Sequence, residues 1–223
     1  MNVFHTLAEK PWLTPSSDAT LQPIAPINKK LTLFILLTII TVFFSLFIFT
    51  FIARSQYADF KALAGEVWQP FYNPFWLWVN TSILAIASAV MQLAVYHSRK
   101  NKFADAHVLM VIAAFFSLQF IVAQGLLFRY LYELGYYLAS NPANSYFYML
   151  TSLHAVHLAG GILVLLRIGI KNFRNSNNQS IQSGLSLCAI YWHYLFLLWV
   201  VLVLLVTSSP ETYQALAALC GYA

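Results

Sequence analysis

Three histidines stand inside runs otherwise fit for lipid: His154 and His157 in "TSLHAVHLAGG" (151–161), and His193 in "AIYWHYLFLLW" (189–199). A neutral imidazole can ligate haem iron, help hold a metal ion, or hydrogen-bond between helices. Spacing limits the choice. His154 and His157 lie about 60° apart on a helix, on one stripe with Leu150 and Gly161. Residues on adjacent turns cannot take opposite faces of a porphyrin, so a bis-histidine haem would need His193 as its second ligand. A di-metal oxygenase site needs more ligands than this, because His5, His97 and His107 fall at or beyond the membrane edges. Three neutral nitrogens could still hold one metal. The surroundings favour the third role. Ala155, Ala159 and Gly160 are small enough for another helix to approach, which sets both rings toward protein as neutral, hydrogen-bonded packing elements.

Other polar groups share these runs: Asn80, Gln92, Gln119, Gln124 and Thr151. An unpaired polar group in hydrocarbon is costly, so their plain role is hydrogen bonding between helices. Acids are missing. Glu9, Asp18, Asp59, Glu66, Asp105, Glu133 and Glu211 all fall outside the cores of the runs. Ion-coupled transporters and pumps need a group that alternates its charge near the midplane, so the chain by itself reads as neither.

The elements that carry these residues follow from composition. Of 223 residues, 60% are apolar and only 9% charged, where a soluble domain carries about a quarter charged. The class is therefore an all-α, polytopic membrane bundle. Five runs are long enough to span: Leu31 to Ile52, Phe75 to His97, Ala106 to Phe128, Tyr146 to Ile168 and Ser186 to Thr207. Short connections make neighbours antiparallel.

Charge then orients the bundle. Lys10, Lys29, Lys30, Arg99, Lys100, Lys102, Arg167, Lys171 and Arg174 fall on one side, and only Arg54, Lys61 and Arg129 on the other. The positive-inside rule places the N-terminus in the cytoplasm and the C-terminus outside. The net charge of +5 is thus topological, with no nucleic-acid partner implied. Residues 1–30, rich in proline, read as an uncleaved, extended cytoplasmic arm. Residues 31–207 form the membrane domain, and 208–223 a short outer tail. Cys188 and Cys220 should sit on opposite membrane sides, too far apart to bond. No repeat relates the spans, which argues against an inverted-repeat transporter.

The motifs resemble, in series, those of subunit III of the haem-copper oxidases. "TSLHAVHLAGG" resembles that family's "TGxHGxHVxxG" helix at Thr151, His154, His157 and Gly161. "AIYWHYLFLLW" resembles its last helix, "YWHFVDVVW", at Tyr191, Trp192, His193 and Trp199. "NTSILAIASAV" is similar to its "NTxILLxSS" helix at Asn80, and Gln124 occupies the glutamine helix between them. The five-span form is similar to the family's shorter members. Three family acids are replaced, near Thr38, at Leu127 and at Phe196, so the lipid-headgroup or proton roles of those acids do not carry over.

The resemblance implies a non-catalytic subunit of a bacterial inner-membrane respiratory oxidase, binding no cofactor itself. Haems and copper would sit in partner subunits I and II. The chain would stabilise subunit I and its proton entrance, bind phospholipid in an interhelical cleft, and take part in a respiratory supercomplex. Its polar residues, Asn80, Gln124, Thr151, His154, His157, Gly161, Tyr191, Trp192, His193 and Trp199, would then be structural. Alternatives are a quinol oxidase or nitric oxide reductase component, a stand-alone haem or metal enzyme built on the histidines, and a solute transporter.

Overall fold

Lipid offers no partners for backbone N–H and C=O groups, so apolar runs of this length close their hydrogen bonds as helices. The computed structural model describes residues 28–174 and 178–221. Five long helices and one short one are formed: α1 Lys29–Arg54, α2 Phe75–Arg99, α3 Phe103–Glu133, α4 Pro142–Arg174, α5 Asn178–Val206 and α6 Pro210–Leu219. No strand occurs among the described residues. The architecture is all-α, with five helices long and apolar enough to cross a membrane. The expected arm lies outside the described residues apart from Asn28, Lys29 and Lys30, and the last two already belong to α1.

Most of the helices overrun the apolar runs. α3, for example, begins at Phe103 and continues to Glu133, because staying helical keeps the backbone bonded while charged ends reach water. Local chemistry sets the ends. Asn28 caps α1, its Oδ1 accepting from the Lys30 N–H at 3.2 Å. Asn101, at φ 60°, makes the tight turn between α2 and α3 in a conformation asparagine tolerates. Gly135, at φ 87°, stops α3; its N–H reaches Tyr132 O at 3.0 Å and the Tyr136 N–H reaches Leu131 O at 3.0 Å.

α2 packs along α3 and α5, and α4 closes against α5 and α3. Fully buried Ala87, Ala94 and Ala113 bring α2 and α3 together, while Trp192, Trp199 and Phe120 fill the centre. α1 stands at the side. Only 17% of its apolar window is buried against 50% for α5, which makes α5 the central helix.

The loop 55–74 folds onto the bundle rather than away from it, burying Leu63 and Phe71. Asn141 clasps it from the α3–α4 loop, accepting from the Lys61 N–H at 3.1 Å and donating to Lys61 O at 2.6 Å. The chain after α5 forms α6, which is docked against the bundle. Tyr213 is buried against Phe51 and Phe60 and donates to Leu205 O at 2.7 Å. That burial raises its phenol pKa above the ordinary value. Cys188 is buried, Cys220 exposed, and both are free thiols.

Candidate functional site

A polar seam runs through the helices, and α5 positions most of it. Trp192 and Trp199 are seven residues apart, two turns along one face, and a buried indole N–H needs an acceptor. Trp192 Nε1 donates to Ser117 Oγ of α3 at 2.8 Å, and Trp199 Nε1 to Thr81 Oγ1 of α2 at 3.0 Å. Each hydroxyl in turn donates to its own helix, Ser117 to Ala113 O and Thr81 to Leu77 O. Next to Thr81, Asn80 donates from Nδ2 to Gln124 Oε1 at 2.9 Å. The pair is buried, and among the described residues Asn80 Oδ1 and Gln124 Nε2 have no partner.

The three histidines occupy three different surroundings. His154 is fully buried between Phe120 of α3 and Trp199 of α5, with ring centroids 5.8 and 5.1 Å away. Among the described residues, neither of its ring nitrogens has a hydrogen-bond partner. The expected hydrogen-bonded ring is therefore corrected to one held by aromatic packing. His157, one turn on, is half-buried and faces Phe44 of α1 at 5.7 Å, its Nδ1 meeting Leu153 O at 2.7 Å. Thr151 likewise bonds within α4, to Phe147 O at 2.6 Å. The link to α5 comes from Tyr191, whose hydroxyl donates to His157 O at 2.9 Å. Gly161 makes room for it, since a Cβ there would stand 2.8 Å from Tyr191 Cε1.

His193 belongs to neither of these settings. It is exposed on the α2 side of α5, with Nδ1 2.6 Å from Ser88 Oγ and Nε2 3.0 Å from Gln92 Oε1. An amide oxygen only accepts, so Nε2 carries the proton and the Ser88 hydroxyl donates to Nδ1.

No group of three or more His, Cys, Asp or Glu side chains that could hold a metal ion gathers among the described residues. The seam contains amides, hydroxyls, indoles and imidazoles, which suit helix fastening. Where the resemblance points to acids, Thr38 is exposed and bonds Phe34 O, Leu127 is buried, and Phe196 packs on the core. The sequence reading missed Thr81, Ser88 and Ser117, because a hydroxyl in a helix carries no mark of whether it serves a neighbouring helix. Their small size at sites facing a tryptophan or histidine was the available signal.

Two cavities flank α5. A groove of about 590 Å³ between α1, α4 and α5 is mostly apolar, with Leu36, Gly160, Val164 and Leu187 in its walls. A chamber of about 660 Å³ between α1, α2 and α5 is rimmed by Lys29, Lys30 and Arg99 and reaches up to Gln92 and His193.

Fold and seam together define a class: a five-span, all-α membrane protein whose helices are joined by neutral polar side chains. Comparison gives the particular family. Residues 16–208 match the family model described as Cytochrome c oxidase subunit III. The chain is 24% identical over 163 residues to the probable cytochrome c oxidase subunit 3 of Mycobacterium tuberculosis (strain ATCC 25618 / H37Rv), covering 72% of this chain and 77% of the relative. It is 29% identical over 152 residues to the cytochrome c oxidase subunit 3 of Thermostichus vulcanus, covering 66% and 74% respectively. Against that of Aedes aegypti it is 28% identical over 200 residues, covering 86% and 74%. The chain belongs to the cytochrome c oxidase subunit III family.

Proposed function

We propose that the chain is the non-catalytic third subunit of a bacterial haem-copper respiratory oxidase, set in the cytoplasmic membrane with its N-terminus inside. The family match over residues 16–208 is the observation that carries this reading. Subunits I and II are its partners and hold the haems and copper, and electrons reach them from cytochrome c or a quinol. The seam around Trp192 and Trp199 supports a framework role, because its groups are neutral and committed to neighbouring helices. The chain stabilises the catalytic subunit, keeps its proton entrance hydrated and holds phospholipid between helices. It works as an accessory, so removing it should leave turnover in place and shorten the life of the enzyme. Deleting the chain and following oxygen consumption over many turnovers tests this. Accelerated inactivation is the expected result, and unchanged durability would overturn the supporting role.

A further inference from the structure

Acyl chains accept no hydrogen bonds, so the lipid-facing side of a span is normally apolar. Outer faces of the bundle obey this at Ile39 and Val42 on α1, and at Val156 and Leu163 on α4. α3 adds one exposed amide, Gln119, among Phe115 and Val122. The α2–α5 face differs. His193 lies near the middle of α5, about 16 Å along the helix from Gln182 at about 1.5 Å per residue. It is exposed together with Gln92, and the two are bonded between α5 and α2 at 3.0 Å.

The pair lines the chamber rimmed by Lys29, Lys30 and Arg99, and no Asp or Glu lines it among the described residues. Among the described residues, none of the three cations has an ion pair. One face thus combines a neutral hydrogen-bonding pair at mid-membrane depth with a cationic mouth. A phospholipid could answer the mouth with its phosphate, but only acyl chains would lie at the depth of His193. A transmembrane helix can answer both, with an amide or hydroxyl at that depth and a carboxylate at its end.

We propose that the α2–α5 face centred on His193 and Gln92 is the docking surface for a partner membrane protein. The partner sets a hydrogen-bonding side chain against that pair and an acidic group over Lys29, Lys30 and Arg99. This inference rests on the oxidase-subunit reading, which makes the partner the haem-bearing subunit.

The test uses the complex purified through a tag on this chain, with a photo-crosslinking phenylalanine at Leu197 or Leu93 on the face, or at Leu163 on α4. Crosslinks from Leu197 and Leu93 should join the chain to the haem-bearing subunit, identified by mass, with about tenfold less from Leu163. His193→Leu with Gln92→Leu should lower haem recovered per chain by about tenfold, and His193→Gln, which retains a hydrogen-bonding group, should recover most of it. Crosslinks from Leu163 alone, adducts with phospholipid only, or undiminished haem in the double variant would each overturn the proposal. If the unaltered chain brings down no haem-bearing subunit, both readings fall. If it does, and the crosslinks come from α4, only this one falls.

Discussion

At the scale of single residues, the seam separates groups that need each other from groups that only need space. Asn80 and Gln124 share one hydrogen bond in a buried setting. Either one replaced by leucine leaves the other amide stranded, at about 1–3 kcal/mol, while replacing both should cost less than the sum. Thermal unfolding of the four proteins in detergent gives the coupling directly. Gly161→Ala sets two effects against each other. Removing a helical glycine gains up to about 1 kcal/mol, but the new Cβ meets Tyr191, 2.8 Å away and tied to His157 O, and such overpacking costs about 1–3 kcal/mol. A lower melting temperature is expected. His154→Phe should leave both haem content and melting temperature intact, since among the described residues the ring nitrogens have no partner and the aromatic contacts survive. A difference spectrum and a melt check both. The helical period put His154 and His157 on one stripe, but period alone does not name the neighbour. Three residues of offset give one ring to α3 and α5 and the other to α1.

Among the elements, the spans were legible because lipid permits so few solutions: a long uncharged run must be a helix. Their ends were less legible. Charged residues such as Asp105, Arg129 and Arg167 do not stop a helix that has left the hydrocarbon. The docking of α6 was not legible either, since burial of Tyr213 depends on where Phe51 and Phe60 come to rest. One loop makes a pH-dependent prediction. Asp59 accepts a bidentate hydrogen bond from Arg54 at the end of α1, which holds its carboxyl below the ordinary value of 3.8. A depressed carboxylate contributes stability that is fully present above 3.8 and is lost as pH falls through the lowered value. The pair is well exposed, so the effect is small. Asp59→Asn should flatten the acid side of the melting-temperature profile, and an unchanged slope would show that the bond adds nothing.

At the scale of the whole molecule, the arrangement is a central helix, α5, bonded by its tryptophans to α2 and α3 and by Tyr191 to α4, with α1 at the side. His154, His157 and His193 each serve a different neighbour, so the architecture does not gather them into one centre. This arrangement is what the proposed supporting role would need. The most direct test of that claim is purification through a tag on this chain in mild detergent. A reduced-minus-oxidised spectrum and a mass inventory of the companions complete it. The account predicts a haem-copper catalytic subunit at equal stoichiometry, with all the haem assigned to it. A chain that purifies alone carrying its own haem or metal would contradict the account.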